Sequence, residues 1–325
     1  MPMSKPIMLA CAAALAAGTA IPALAQSAAA PPAPAPKALL AYTPKPDTLP
    51  SYGKNRPVTR LPEVLAKHKG QKSWTEQVIL TSRFDTRWVQ MAPSEKVSTR
   101  YYGDDRVMWV VWDGQIKFTI EGQEPFVASK GFLVQVPQRV RYSMETVGDA
   151  PSLRYEVTRT GQVPNFPADN GEPRPPNAPN GMPYVKVSTP TPPDTYEGVN
   201  KPFVDFFKDV VAKDPVKGPN PSLVMMDEGN MSNIIRGKGV PTPPPSNKGH
   251  FHVGRDEFWF ILEGKVDYLI EDVGLITANA GDIVFVPPGR WHRASWADGQ
   301  TDTRLSFNAN PYTFHAFGPE SGGEQ

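Results

Sequence analysis

The amino-acid sequence predicts an all-β protein made of two tandem units of antiparallel strands. Short segments rich in β-branched and aromatic residues recur at regular spacing between Gly and Pro turns, which is typical of a β-barrel or sandwich. A stretch that begins at Arg100 is repeated in a stretch that begins at His250, which indicates an internal duplication. The 325 residues are enough for two domains of ordinary size.

The composition excludes some classes of partner. Hydrophobic residues make up 39% and charged residues 21%, as in a soluble globular protein. The net charge is +1 and the basic residues are scattered, so no basic field exists to hold nucleic acid or anionic lipid. We therefore expect a small-molecule substrate, no nucleic acid and no membrane partner. Homo-oligomerisation is left open.

The first 25 residues read as a signal peptide. Lys5 supplies the positive charge, residues 7–17 form an apolar core too short to span a bilayer, and Ala23 to Ala25 provide a small-residue cleavage site. An uncleaved anchor is disfavoured because no stop-transfer stretch follows. The single cysteine, Cys11, lies in this segment, so the mature chain would have no disulfide and no thiolate ligand. We expect a periplasmic or secreted protein.

The first predicted domain follows a Pro- and Ala-rich arm. The arm covers residues 26–72 and has little periodicity. The domain covers 73–161, and its predicted strands are QVILTSRF, RWVQM, VMWVVW, QIKFTI, FLVQV and LRYEV. A Pro-rich linker over 162–199 then marks a domain boundary.

The second predicted domain covers residues 200–325. A short amphipathic helix is expected from Phe203, with Phe206, Phe207 and Val210 on the same face. The predicted strands are LVMM, SNIIR, FWFIL, VDYLI, IVFV and TRLSFN. A third Pro cluster, over 240–249, is expected to form a stiff loop before His250.

Three of the five histidines and one glutamate suggest a metal site in this second domain. Residues two apart in a strand point to the same face, so His250 and His252 can aim at one point. Glu257 would add an oxygen ligand, and His292 would return from a later strand. Three imidazole nitrogens and one carboxylate suit a divalent transition metal and leave room for water or substrate.

The first of these segments resembles the first motif of the cupin family. That motif has Gly, His-x-His, Glu and Gly at fixed spacings, and His250, His252, Glu257 and Gly264 match it. The leading Gly is replaced by Pro244. The resemblance implies a small antiparallel β-barrel in which the matched histidines and glutamate are metal ligands.

The second motif of the same family has Gly, Pro-x-Gly, His and Asn at fixed spacings. Gly281, Pro287, Gly289 and His292 match, and Trp296 stands where Asn is expected. The resemblance implies that His292 is the remaining ligand. It also implies an enzyme of one of several classes, because cupins with this ligand set include dioxygenases, oxalate-degrading enzymes, isomerases and lyases.

The first domain carries the same pattern without the ligands. Arg100, Tyr102, Val107 and Tyr142 stand at the positions of His250, His252, Glu257 and His292. Arg cannot lose its proton in a protein and Val has no donor atom, so this set does not make a divalent-metal site. The chain thus resembles a bicupin, two jelly-roll barrels in one chain, with a metal site only in the second. The first barrel is interpreted as a structural partner or as a metal-free anion or sugar pocket.

Strand alternation also predicts the lining of the second site. Trp259 shares a face with Glu257, and Trp296 shares a face with His292, so both indoles can line an apolar pocket or fill the core. Arg290 at the rim could bind a substrate carboxylate or be solvated. Glu263 has the opposite parity and is expected to be solvated, and His315 is expected at the surface or in packing.

The function predicted from these observations is that of a secreted metal-dependent enzyme. One divalent ion (Mn, Fe, Ni, Cu or Zn) would bind a chelating substrate, and an oxygenase or decarboxylase acting on a small oxygen-rich organic acid or phenol is favoured. The alternatives are a redox-neutral lyase or isomerase for a sugar or uronic acid, and a non-catalytic binding protein. The sequence assigns no general acid or base.

Overall fold

The computed structural model describes residues 40–168, 181–189, 193, 195–213, 222–227, 229–239, 249–308 and 314–318. The predicted signal peptide and most of the third Pro cluster lie outside these residues. Residues from Leu40 onward form one compact unit. Strands predominate over helices in the described part of the chain, as predicted. None of its helices has the length and apolar character that a membrane span requires.

The first barrel consists of two facing antiparallel sheets. One sheet has the order β12-β8-β5-β10-β3-β2 and the other β11-β4-β9-β6-β7. The strands from the first half of the chain are β1 (Val58–Thr59), β2 (Trp74–Leu80), β3 (Phe84–Met91), β4 (Lys96–Tyr102), β5 (Val107–Asp113), β6 (Ile116–Ile120), β7 (Phe126–Ala128), β8 (Phe132–Val136), β9 (Tyr142–Thr146), β10 (Ser152–Arg159) and β11 (Pro164–Asn165).

The second barrel repeats this arrangement with sheets β1-β19-β16-β21-β14-β13 and β18-β17-β20-β15-β22. The strands from the second half of the chain are β12 (Phe203–Asp205), β13 (Ser222–Met226), β14 (Met231–Lys238), β15 (His250–Phe251), β16 (Glu257–Glu263), β17 (Lys265–Ile270), β18 (Gly274–Asn279), β19 (Ile283–Val286), β20 (His292–Trp296), β21 (Thr301–Asn308) and β22 (Ala316–Phe317).

Each half of the chain donates a strand and a helical turn to the other barrel. From the first half, β1 pairs with β19 of the second barrel, and the helix α1 (Leu61–Lys67) follows it. From the second half, β12 pairs with β8 of the first barrel, and a π-helical turn (Phe206–Val211) follows it. This reciprocal exchange explains why two predicted boundaries differ from the structure. The arm over 26–72 includes structural elements of the second barrel, and residues 203–211 pack on the first barrel although the predicted second domain begins at 200.

The predicted helix from Phe203 is also shorter than expected. Phe203 to Asp205 are extended because they hydrogen-bond to β8, and the helical turn starts only at Phe206. The side chain of Asp205 caps this turn by accepting from the backbone N–H groups of Phe207 and Lys208 at 3.1 and 3.2 Å. Of the predicted apolar face, Phe206 is buried and Phe207 is exposed.

A shared core joins the two barrels. The side chains of β5 and β16 alternate, so one face of each strand points into its own barrel and the other points to the neighbouring barrel. Between the barrels, the rings of Phe84 and Phe258 meet edge to face at 5.0 Å, and Tyr155 packs on Phe260 at 5.4 Å. Aromatic contacts of this kind add to the free energy of burial, so the barrels are expected to fold as one unit.

At equivalent positions of the two barrels, one residue contacts a turn of the other barrel. In the first barrel, Arg106 bonds to Asp227 in the turn between β13 and β14, at 3.0 Å. In the second barrel, Asp256 stands at the same motif position and accepts a hydrogen bond from Thr81, which lies in the turn between β2 and β3. The first barrel therefore contributes to the rim of the second.

Candidate metal centre

The four predicted ligands come together at the mouth of the second barrel. His250 begins β15 and pairs with His292, the first residue of β20, while His252 follows β15 and Glu257 begins β16. One ligand atom from each residue lies within 4.8 Å of all the others. His252, Glu257 and His292 are buried, and His250 is partly buried.

The three imidazoles surround one carboxylate oxygen. Oε2 of Glu257 lies 2.7 Å from Nε2 of His252, 3.3 Å from Nε2 of His292 and 3.9 Å from Nε2 of His250. The Nε2 atoms of His250 and His292 are buried without a hydrogen-bond partner among the described residues. Buried polar atoms are rarely left unpaired, and here they face one common point.

Backbone carbonyls orient two of these rings. Nδ1 of His252 lies 2.9 Å from the carbonyl oxygen of Phe314, and Nδ1 of His292 lies 3.0 Å from that of Arg290. A proton on each Nδ1 leaves the Nε2 lone pair directed at Glu257. Lone pairs of a nitrogen and a carboxylate oxygen 2.7 Å apart need a proton or a cation between them. The residues therefore fit a divalent metal ion.

The ionisation of the site also suits a metal. Burial lowers the pKa of His250 to about 3, so this imidazole is neutral at physiological pH. Burial disfavours the ionised form of Glu257, but the charge of His252 and the three neighbouring imidazoles hold the pKa of this carboxyl well below its usual range. Burial likewise disfavours the His252 imidazolium, but Glu257 raises the His252 pKa above its usual value. A bound cation would take the place of that proton.

A fourth histidine, His315, lies beside the centre in the structure. The sequence analysis placed it at the surface or in packing. The ring of His315 packs on those of His250 and His252, with centroids 4.7 and 4.6 Å apart, and lies outside the four-residue ligand group. It gets there because β22, which follows it, pairs with β15. Spacing from the motifs gave no sign of this. The alternation of His315 and Phe317 on one face was the available signal.

The two predicted pocket tryptophans differ in position. The indole of Trp259 lies 5.3 Å from the ring of His292, so it borders the centre. Trp296 is buried in the barrel core, packed so closely on Gly237 and Gly239 that a Cβ at either would come within 2.6 Å of the ring. Among the described contacts, none joins Trp296 to a ligand. Its role is to fill the core.

Arg290 has neither of the roles considered for it. Its side chain is buried, and its terminal nitrogens donate to the carbonyls of Glu271 and Pro50 at 2.7 and 2.9 Å. The guanidinium also lies over the ring of Tyr52, 5.0 Å from the centroid. Arg290 therefore fastens the N-terminal arm to the second barrel. The sequence pattern did not show this role, because Pro50 lies far from Arg290 along the chain.

One further polar residue differs from its expectation, and another near the centre was not indicated by the sequence. Glu263, expected to be solvated, forms an ion pair with the buried Arg236 and accepts from Thr303 at 3.1 Å. The sequence did not single out Asn308. It lies in β21 directly opposite Glu257 of β16, and it is buried. Its Oδ1 has no hydrogen-bond partner among the described residues. Directly opposed residues share a face of the sheet, so Asn308 is a polar neighbour of the ligand set.

At the corresponding positions of the first barrel, the side chains mostly pack against neighbouring residues. The ring of Tyr142 lies 6.5 Å from that of Tyr102 and 5.0 Å from that of Trp109. Val107 is fully buried, and Trp109 donates to Glu156 at 2.7 Å. Arg100 is turned to Ser98 and lies over the ring of Phe166. Among the described residues, the only group that could hold a metal is the one in the second barrel.

Comparison with known proteins agrees with this architecture. A family model described as a cupin domain matches residues 242–307, the region that contains all four residues that could hold a metal. No curated protein matches the chain by sequence.

Solved structures resemble the chain over most of its length. A salicylate 1,2-dioxygenase variant from Pseudoaminobacter salicylatoxidans in complex with gentisate has a TM-score of 0.55 at 12% identity, over 82% of this chain and 83% of that one. A cupin 2 conserved barrel domain protein from Leptotrichia buccalis has 0.50 at 9%, over 78% and 96%. An oxalate decarboxylase from Bacillus subtilis has 0.46 at 10%, over 75% and 75%.

Residues 242–307 therefore form a cupin domain, and the chain shares the two-barrel fold of these structures. Its two barrels in one chain make it a bicupin, and the residues that could hold a metal lie in the C-terminal barrel.

Proposed function

We propose that this protein is an exported, metal-dependent bicupin enzyme, an oxygenase or decarboxylase that acts on a small oxygen-rich organic acid or phenol. The observation that carries the proposal is the convergence of three imidazoles on the Glu257 carboxylate, with two buried Nε2 atoms that have no other described partner. A purely structural cluster would be expected to satisfy these atoms internally.

A bound ion would serve as a Lewis acid for substrate oxygens and, if it is redox-active, as an electron relay to dioxygen. The four residues would hold the ion and would leave room on it for a chelating substrate. The protein residues would orient the imidazole rings and shield the site from water. Phe314 and Arg290 hold the imidazole rings through their carbonyls, and the indole of Trp259 excludes water on the side of His292.

The choice of substrate class has separate support. The salicylate 1,2-dioxygenase that shares this fold was solved with gentisate, a phenolic acid. At 12% identity the likeness establishes the fold, so its substrate is only a starting point for this chain. The predicted signal peptide supports export, which N-terminal sequencing of the protein from the natural host would test.

The first test is the metal content of the purified mature protein, measured by elemental mass spectrometry. We expect about one transition-metal ion per chain, and we expect its loss in His252→Ala. The matched control is Tyr102→Ala, which changes the corresponding position of the first barrel and should leave the metal content unchanged. Metal loss in both variants would show general misfolding, which thermal unfolding would detect. Absence of metal in the parent protein, even after reconstitution, would contradict the proposal.

The second test is oxygen consumption with a panel of hydroxybenzoates, catechols, and keto and hydroxy acids. Uptake that depends on the metal supports an oxygenase. Carbon dioxide release without net uptake supports a decarboxylase. Turnover of sugars or uronic acids with neither would favour the lyase or isomerase alternative.

A further inference from the structure

A C-terminal segment, residues 314–317, completes the sheet that carries two of the predicted ligands. The strand β15 is only two residues long. It pairs with β20 at one position and with β22 at two, where Phe317 lies opposite His250 and Ala316 lies opposite Phe251. Most of the described pairing that holds this short strand in the sheet therefore comes from the C-terminal segment.

The ring of His315 packs against two of the predicted ligands. Continued by one residue, the register of β22 places His315 opposite His252, and directly opposed residues have Cβ atoms about 5 Å apart. The ring centroid of His315 lies 4.7 Å from that of His250 and 4.6 Å from that of His252, and both contacts are edge to face. Rotation of an imidazole moves its Nε2 atom, so these contacts fix the direction of both ligand nitrogens.

The first barrel has an equivalent segment with a different residue at this position. The strand β11 lies beside β4 as β22 lies beside β15. Pro164 of β11 is opposite Tyr102, which has the position of His252 in the duplicated pattern. Pro164 therefore has the position of His315. Because the first barrel closes here without an imidazole, the fold itself does not require one.

The neighbouring aromatic residue, in contrast, occurs in both barrels. The guanidinium of Arg100 lies over the ring of Phe166, 5.0 Å from its centroid. The ring of Phe317 lies 5.1 Å from that of His250, which has the position of Arg100. These two phenylalanines account for the packing that the barrels share. The histidine beside them occurs only in the barrel that contains the four residues able to hold a metal, so the role of His315 is tied to that group.

We propose that His315 is a positioning residue of the candidate metal centre. Its ring holds the imidazoles of His250 and His252 with their Nε2 atoms directed at the metal position. The proposal rests on the proposed function for the presence of a metal, and it extends the centre to a segment beyond the two motifs. Residues that orient metal ligands without binding the metal change its affinity about 10- to 100-fold.

The test is a cobalt(II) titration of the purified protein after treatment with a chelator. The visible absorption of cobalt(II) reports the number and kind of its ligands, and competition with a chelator gives the affinity. We expect His315→Ala to weaken cobalt binding about tenfold or more and to keep the parent spectrum at saturation. His315→Phe, which keeps a ring at this position, should recover most of the affinity.

The matched control is Pro164→Ala, at the equivalent position of the first barrel, which should leave the cobalt affinity unchanged. Thermal unfolding identifies a variant that fails to fold. If His315→Ala does so, His315→Gln, which also lacks the ring, takes its place.

Two results of the titration would overturn the proposal. The first is an unchanged cobalt affinity in His315→Ala. The second is a His315→Phe variant that binds cobalt as weakly as His315→Ala, which would exclude ring packing as the cause. A changed spectrum at saturation would then identify His315 as a further ligand, and an unchanged spectrum would identify a hydrogen bond of its ring.

Proton–nitrogen NMR of the imidazoles in the metal-free protein separates this proposal from the proposed function. We expect His315→Ala to shift or broaden the ring signals of His250 and His252, to affect those of His292 least, and Pro164→Ala to leave all of them unchanged. A parent protein that binds no cobalt would reject the enzyme, while altered signals in His315→Ala would keep the positioning role and unaltered signals would reject it as well. Cobalt binding in the parent, with affinity and signals unaltered in His315→Ala, would reject the positioning role alone.

Discussion

The two barrels share one backbone plan and differ in what occupies the centre. In the first barrel, Tyr142 packs on Trp109 and Tyr102, and the space is filled by rings. In the second, His292 stands at the position of Tyr142, and its Nε2 atom is buried without a described partner. The comparison teaches that strand alternation and turns specify the barrel, while a few side chains at its mouth decide whether it can hold a metal.

Equivalent glycines show how closely the plan is kept. Gly131 and Gly281 have φ values of 90° and 91°, a region that favours glycine. A Cβ at Gly131 would lie 2.6 Å from Phe207 of the π-helical turn, and a Cβ at Gly281 would lie 2.6 Å from Leu61 of α1. Each barrel is thus covered at the same point by the helical segment that the other half of the chain donates.

The largest expected effect comes from removing the same position in each barrel. His292→Ala should reduce bound metal to less than a tenth, because one of three imidazole ligands is lost. Tyr142→Ala should leave the metal content unchanged if the variant folds. Elemental mass spectrometry on both variants checks this. Retention of metal in His292→Ala would mean that another group, for which His315 is the nearest candidate, can replace the ligand.

For stability, the substitution in the first barrel is expected to have the larger effect. Tyr142→Ala should lower the free energy of unfolding by about 3–5 kcal/mol, since it leaves a large cavity in a packed core. In metal-depleted protein, His292→Ala should cost clearly less, because it also removes a buried nitrogen that lacks a partner. Urea unfolding followed by tryptophan fluorescence measures both. Tyr142→Phe, which keeps the ring, is the control and should cost about 1 kcal/mol.

The features on which these two predictions rest could be predicted from the sequence. Strand patterning located the main strands of both barrels, and fixed motif spacing located His250, His252, Glu257 and His292. Both signals are local, because alternation and motif offsets depend only on neighbouring residues. The face that Trp259 occupies followed from the same alternation.

Other features depend on contacts between distant segments, which no local pattern contains. His315 reaches the centre through the pairing of β22 with β15, and Arg290 is held by Pro50 from the N-terminal arm. The exchange of β1 and β12 between the barrels is of the same kind. Arg83 lines a cavity next to His252 because a turn of the first barrel lies against Asp256.

The matched contacts at the two mouths provide the next test. Arg106 is buried and donates to Asp227, Gln135 and the carbonyl of Thr195. Arg106→Ala should therefore cost about 3 kcal/mol, because it leaves buried polar partners unpaired. Asp256→Asn, at the matching position, keeps a carbonyl oxygen for Thr81 and should cost less than about 1 kcal/mol. Equal costs, measured by chemical unfolding, would show that the two contacts are equivalent.

The smallest effect concerns a buried acid that only the second barrel has. Asp302 stands where the first barrel has Ser152, which hydrogen-bonds to Thr146 at 2.7 Å. Oδ1 of Asp302 accepts from the Lys265 N–H at 2.8 Å, and Oδ2 has no described partner. Burial raises the pKa of Asp302 to about 6, and the charges of nearby acids add to the shift.

This shift predicts the direction of a pH effect. The folded state binds the Asp302 proton more tightly than the unfolded chain does, so its contribution to stability is fully present below about pH 3.8. It is lost as the pH rises through about 6, where the buried carboxylate becomes charged. Asp302→Asn removes this charge and keeps an oxygen for Lys265. It should therefore raise the free energy of unfolding by about 1 kcal/mol at pH 7.5 and change it little at pH 4.

Urea unfolding of parent and variant across this pH range measures the difference, and Asp272→Asn, at an exposed acid, is the matched control. A variant less stable than the parent at pH 7.5 would mean that the ionised carboxylate is needed at the turn before Lys265. In that case Asp302 would be a structural anion of the second barrel rather than a strained one. A gain at pH 7.5 that disappears at pH 4 would instead show that the second barrel tolerates a buried charge that the first barrel avoids with Ser152.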